Sequence, residues 1–263
     1  MTLATIFAHA RSRKRPAFIP YLMSGDPNPE TTIAILASLR NAGADFVELG
    51  VPYGDPLADG PTIAAAGQRA LHQGGGVAQM LDILTRARDV APPIVIFSYF
   101  NPLMQYGFQR FARDARIAGA VGVIVPDVVL EEAHTLQASL AQEGLDMPLL
   151  VAPTTSRERA TRICMQATGF VYVVSRLGVT GAGAKPDFSG LHAQIAMLRG
   201  VTEMPLAVGF GVSNVAHVRD VAAHADGIIV GSALIDAYAH CPPSEAARAV
   251  SDFVTPLILA AQS

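Results

Sequence analysis

Cysteine, lysine and charge are all scarce in this chain of 263 residues. The two cysteines, Cys164 and Cys241, have neither metal-ligand nor redox spacing, which argues against a disulfide-stapled or thiol-redox protein and fits a reducing cytoplasm. Only two lysines occur, Lys14 and Lys185, and neither falls in an apolar run of strand type, so a Schiff-base lysine is not indicated. No G-x-S-x-G elbow is present. The histidines (His9, His72, His134, His192, His217, His224 and His240) fall on helix-like stretches or their ends, which argues against a metal cluster. Charged residues make up 16% against 51% hydrophobic, the balance of an α/β protein that buries its strands. A net charge of −3 gives nucleic acid little to bind, and no apolar run approaches a membrane span.

Acid is also missing locally, because no Asp or Glu occurs in the first 25 residues, where Arg11-Ser12-Arg13-Lys14-Arg15 forms a basic run. Transit peptides share that composition. Yet Leu3, Ile6, Phe7 and Ala10 recur at helical spacing and the strand candidate Ala17–Met23 follows at once, so we expect a short helix capping a barrel floor rather than a removable leader.

What is present is a regular alternation. Eight short apolar runs, Ala17–Met23, Phe46–Leu49, Ile94–Tyr99, Val121–Val125, Leu149–Ala152, Phe170–Val174, Leu206–Gly209 and Gly227–Val230, are separated by amphipathic stretches such as Thr31–Ala42 and Val77–Val90. Strand and helix in alternation imply parallel right-handed units, and eight of them predict a (β/α)₈ barrel, with an open doubly wound sheet as the alternative. No linker or composition break divides residues 1–263, so a single domain is expected. Beyond the eight units the sequence predicts the N-terminal helix and an extra helix, Thr62–Gln73, which ends at Gly74-Gly75-Gly76.

The stretch Glu48–Pro61 reads E-L-G-V-P-Y-G-D-P-L-A-D-G-P. Glu48 ends a strand, and the glycines and prolines that follow form a loop carrying Asp55 and Asp59. A carboxylate at a strand end with others on the loop above it can serve acid–base chemistry; equally, it fits a buried Glu paired with an Arg and two turn-forming aspartates. Tyr99, Asp127 and Tyr172 also fall at strand ends or within strands, although Asp127 also fits a turn or partner-facing position and Tyr172 the core. Ser175–Lys185 is a glycine-rich loop suited to a lid, and it matches neither a Walker loop nor a dinucleotide fingerprint. Gly209-Phe210-Gly211 and Gly231-Ser232 follow strands seven and eight, where such barrels bind phosphate.

On Glu48–Pro61, Gly178–Gly181, Gly209–Gly211 and Gly231-Ser232, together with Pro20-Tyr21 and Gly25-Asp26-Pro27, the chain resembles the tryptophan synthase alpha subunit family. The resemblance implies a lyase that cleaves indole-3-glycerol phosphate to indole and glyceraldehyde 3-phosphate in tryptophan biosynthesis. It assigns general acid–base work to Glu48 and the indole N–H to Asp59. Tyr21, Ile63, Phe97, Tyr99, Tyr172, Thr180 and Phe210 match the indole slot and its surroundings, and Gly181, Gly211, Gly231 and Ser232 the phosphate cradle. Asp55, Pro56, Asn101, Pro102 and Asp127 match the face toward a beta subunit in an α₂β₂ assembly, where pyridoxal phosphate belongs to the beta chain and no cofactor to this one. The pattern departs from the family at Gly54, Gly67 and Val128-Val129-Leu130. A stand-alone indole-releasing lyase, an inactive activator of a beta subunit and another phosphate-binding barrel enzyme are the alternatives.

Overall fold

Strands form where the β-branched and aromatic runs predict them: β1 (Ala17–Met23), β2 (Val47–Gly50), β3 (Ile94–Phe97), β4 (Ala120–Ile124), β5 (Leu149–Val151), β6 (Val171–Val174), β7 (Leu206–Gly209) and β8 (Gly227–Val230). The structure is a computed structural model that describes residues 2–175, 189–209 and 211–262. Neighbouring strands are parallel and run β4-β3-β2-β1-β8-β7-β6-β5. The two ends of that order meet through a single bridge, Gly122 with Asp146, in which the Val123 N–H donates to the Asp146 carbonyl at 2.8 Å. Sequential order with closure makes this a (β/α)₈ barrel and excludes the doubly wound sheet, whose order would reverse partway.

Around the barrel lie α1 (Leu3–Ser12), α2 (Pro29–Ala42), α3 (Pro61–His72), α4 (Val77–Ala87), α5 (Phe100–Tyr106), α6 (Phe108–Ala118), α7 (His134–Gln142), α8 (Arg157–Gln166), α9 (Ser189–Arg199), α10 (Val215–Ala222), α11 (Ser232–Tyr238) and α12 (Pro243–Ala261). Local chemistry sets their limits. At α2 the Asn28 side chain accepts from the Thr31 N–H, Pro29 occupies the first turn, and Gly43 ends the helix in the left-handed conformation. The extra helix after β2 is α3, one residue earlier at each end than the sequence predicts. Among the strands one expected boundary moves further: β3 stops at Phe97, and Tyr99 becomes the residue preceding α5. The cause is Asp127, whose carboxylate accepts the Phe100 N–H at 2.9 Å and starts a helix there.

α1 closes the floor, as its apolar spacing predicts. Leu3, Ile6, Phe7 and Ala10 are buried. Phe7 meets Phe46 at 5.9 Å and Phe170 at 5.5 Å between ring centroids, and those two rings meet at 5.8 Å. Leu3 fills a seat that depends on a missing side chain: a Cβ on Gly169 would lie 2.7 Å from Leu3 Cδ1. Next to the floor, Arg15 grips Asp45 through two bonds of 2.6 and 2.9 Å, and Asp45 also accepts the Phe18 N–H at 2.8 Å. That buried pair ties the start of β1 to the loop before β2, and the Asp45 carboxylate raises the Arg15 pKa.

Leu3→Ala should therefore cost about 2–5 kcal/mol of stability, because the Gly169 seat cannot collapse onto a smaller side chain. Urea unfolding checks this; a loss below about 1 kcal/mol would show that α1 does not plug the floor.

Candidate active site

Glu48 occupies the middle of β2, in register with Tyr21 of β1 and Val95 of β3. Its side chain is fully buried, and neither carboxylate oxygen has a hydrogen-bond partner among the described residues. Among the described residues Glu48 is therefore not half of an ion pair. Two of the fold's inner arginines are committed elsewhere, Arg15 to Asp45 and Arg69 to Asp26. Removal from water disfavours the charged form, so the Glu48 carboxyl titrates well above the usual carboxylate range.

Two tyrosines belong to the same neighbourhood. Tyr21 and Tyr172 are buried, and burial raises both phenols well above their ordinary value, with the Glu48 charge contributing to each. Each covers a glycine on the next strand. A Cβ on Gly50 would run into the Tyr21 hydroxyl and one on Gly209 into the Tyr172 hydroxyl, so both residues must be glycine for the rings to lie flat over the strand ends. Tyr21 also meets Phe97 edge-on at 5.5 Å.

Asp59 arrives from the loop between β2 and α3. Its Oδ1 accepts from the Tyr99 hydroxyl at 2.9 Å, and that hydroxyl in turn accepts the Ala58 N–H at 2.9 Å. Burial raises the Asp59 pKa from 3.8 to about 6, with the Tyr99 bond acting in the opposite direction. Asp59 is also among the charges that raise the Tyr21 phenol. Glu48, Asp59, Tyr21, Tyr99, Tyr172 and Phe97 therefore converge at the C-terminal end of the barrel. Ile63, in the first turn of α3, packs against the core. On the opposite side Gly231 precedes α11 and lies against Tyr21, and Ser232 opens that helix. Gly211 has φ +105° just after β7. Thr180, Gly181 and Phe210 lie outside the described residues.

The family model of the tryptophan synthase alpha chain matches residues 7–255. The chain belongs to the tryptophan synthase alpha chain family. A family member from Roseiflexus sp. (strain RS-1) is 46% identical, covering 97% of this chain and 98% of that one. Among solved structures, one of Mycobacterium tuberculosis tryptophan synthase superposes with a TM-score of 0.91 at 34% identity, over 99% of this chain and 98% of that one. The tryptophan synthase subunit alpha of Legionella pneumophila str. Paris gives 0.90 at 32%, over 99% and 98%. Membership makes this chain a lyase and an alpha subunit of tryptophan biosynthesis.

Two of the residues that the family resemblance places toward a beta subunit, Asn101 and Asp127, are held by contacts around α5. The Asn101 side-chain amide donates to the Tyr53 hydroxyl at 3.1 Å, and Tyr53 stacks on Tyr99 at 5.5 Å. Asp127 is exposed while holding the Phe100 N–H, and Asp55 and Pro56 stand on the Asp59 loop. Pro102 lies in the first turn of α5. Leu57, Met104 and Val129 expose apolar surface around these residues. Tyr53 has no place in the sequence reading, because its role depends on contacts with Tyr99 and Asn101, which follow much later in the chain.

The Asp59 environment predicts a pH signature. Between 3.8 and about 6 the folded chain retains a proton that the unfolded chain has lost, so stability falls as pH rises through that window and levels off above it. Asp59→Asn removes this effect while keeping the Tyr99 contact. Its gain in melting temperature over the wild type should be smallest near pH 4 and constant above about pH 6. A gap independent of pH would show that Asp59 is not the titrating group.

Proposed function

We propose that this family member cleaves indole-3-glycerol phosphate to indole and glyceraldehyde 3-phosphate by carboxylate acid–base chemistry, Glu48 being the proton shuttle. The observation that carries this is the buried Glu48 carboxylate, without a hydrogen-bond partner among the described residues, which acts with Asp59 on the same Tyr21 phenol. A carboxyl whose pKa burial has raised is suited both to give and to take a proton. In the forward direction Glu48 protonates indole C3, which leaves positive charge on the ring nitrogen. The ionised Asp59, held by Tyr99, accepts the indole N–H and stabilises that charge. Loss of the glycerol hydroxyl proton then breaks the bond to indole C3. The electron pair returns to the ring and the carbinol carbon becomes the aldehyde. The net change moves one proton from hydroxyl to carbon, with no redox step.

Tyr21, Phe97, Ile63 and Tyr172 suit the walls of an indole slot, being aromatic or aliphatic and lying beside the two carboxylates. Thr180 and Phe210 join them by family position. Gly181, Gly211, Gly231 and Ser232 form the phosphate cradle in this reading, supported by the left-handed Gly211 and by the small residues that open α11. With only two lysines in the sequence, this reading routes no step through a Schiff base and gives the chain no cofactor of its own. The Asp55, Pro56, Asn101, Pro102 and Asp127 face, with its exposed Leu57, Met104 and Val129, takes the beta subunit in an α₂β₂ assembly, and pyridoxal phosphate resides in that partner. Among the described residues no helix is long and apolar enough to cross a membrane, and a cytoplasmic enzyme is the setting this reading carries.

Indole release from indole-3-glycerol phosphate, measured with and without a beta subunit, tests the proposal. Slow release that rises sharply with the partner is expected. Fast release regardless of partner would instead mark a free-standing lyase, and none in either case would defeat the reaction assigned. Within the active assembly, Glu48→Gln should lower kcat by about 10²–10⁴-fold. The same variant should melt no lower than the wild type at pH 7, since the substitution removes a buried ionisable group. A variant that keeps wild-type turnover would exclude Glu48 as the shuttle.

A further inference from the structure

Asp26 is a fully buried carboxylate that the proposed reaction does not use. Arg69 donates to it twice, through Nε at 2.7 Å and Nη2 at 2.8 Å, and the Tyr238 hydroxyl donates at 2.8 Å. The donors come from different elements: Arg69 from the last turn of α3, and Tyr238 from the end of α11. Burial, with Asp26 adding to it, raises the Tyr238 phenol well above its ordinary value, so Tyr238 stays a donor. A second link joins the same two helices, because the Thr62 hydroxyl donates to Asp236 Oδ1 at 3.0 Å. The last turn of α11 is thus held at two points, near either end of α3.

What begins at the other ends of these helices makes the arrangement informative. α3 starts two residues after Asp59, and α11 starts directly after Gly231. The Asp26 cluster lies about 12 Å along α3 and about 9 Å along α11 from those starts, at 1.5 Å per residue. A shift of one helix along the other would leave a buried charge short of donors, a costly state, so their relative position is stiff.

We propose that Asp26, with Arg69 and Tyr238, is a positioning cluster that fixes the distance between the phosphate end and the Asp59 end of the site, and so sets the length of substrate accepted. This rests on the functional reading above. A ligand whose phosphate is anchored at Gly231 and Ser232 reaches Asp59 with its indole N–H only if the carbon chain between has the matching length. The cluster selects a three-carbon linker by holding the two ends apart, without touching the ligand.

Binding of indol-3-ylalkyl phosphates with two, three and four linker carbons tests this by calorimetry, independently of turnover. The wild-type chain should prefer the three-carbon compound by about tenfold or more over both others, the usual effect of one methylene in a fitted pocket. Tyr238→Phe deletes one hydroxyl and leaves the Arg69 pair, so it should melt within about 4 °C of the wild type. Its length preference should fall to about twofold or less, from the small shift in spacing that one lost bond allows. Asp26→Asn should go further where it folds. A merely structural role would weaken all three ligands equally, and that result, or an unchanged preference in Tyr238→Phe, would overturn the positioning role alone. Failure of the wild-type chain to bind any of the three would defeat the proposed reaction as well.

Discussion

The period of two along a β-strand governs this molecule more than any single bond. On β2 and its approach, Phe46, Glu48 and Gly50 share one side of the backbone, and on β6 and its approach Phe170 and Tyr172 do the same. The first of each series, Phe46 and Phe170, closes the floor with Phe7, and the next supplies the carboxylate and the phenol at the other end. Glu48 is therefore one layer above an aromatic plug, in a barrel whose interior is packed with side chains rather than water. Its raised pKa follows from that position. The same inner layer that stabilises the fold by burying rings destabilises the ionised state of the one acid placed among them.

The loops above the strands work differently, through polar bonds between units far apart in sequence. Tyr99 holds Asp59, Tyr53 stacks on Tyr99 and takes a bond from Asn101, and Asp127 sets the start of α5. A surface assigned to a partner subunit is thereby continuous with the carboxylate assigned to the indole nitrogen, through side chains and one short helix.

Much of this was legible in the chain itself. β1, β7 and β8 begin and end where their apolar runs do, because a strand buried on both faces has no polar residue to blur its limits. α1 was readable from four apolar residues at helical spacing. Glu48 and Asp59 stood out because a carboxylate beside an apolar run and another on a proline-rich loop are unusual, and the family pattern then gave them roles. The partners of charged groups were not legible. Glu48 could be expected to pair with an arginine, yet Arg15 and Arg69 serve Asp45 and Asp26, a choice settled only when strands distant in sequence come together. Closure between β4 and β5 was equally hidden, since it runs through Asp146, a residue with no strand signal of its own. Tyr99 was read as a strand end for a related reason: the capping carboxylate of Asp127 belongs to the next unit.

The aromatic plug also bears on how the chain comes into being. Phe7 lies in α1, upstream of β1, while one of its two ring partners, Phe170, directly precedes the sixth strand. Until the chain has been made past Phe170, α1 has an apolar face and no complete seat, and it is too short to persist as an isolated helix in water. α1 thus settles later than its place ahead of β1 would suggest. The seal of the floor records that the five units ahead of Phe170 have already been made.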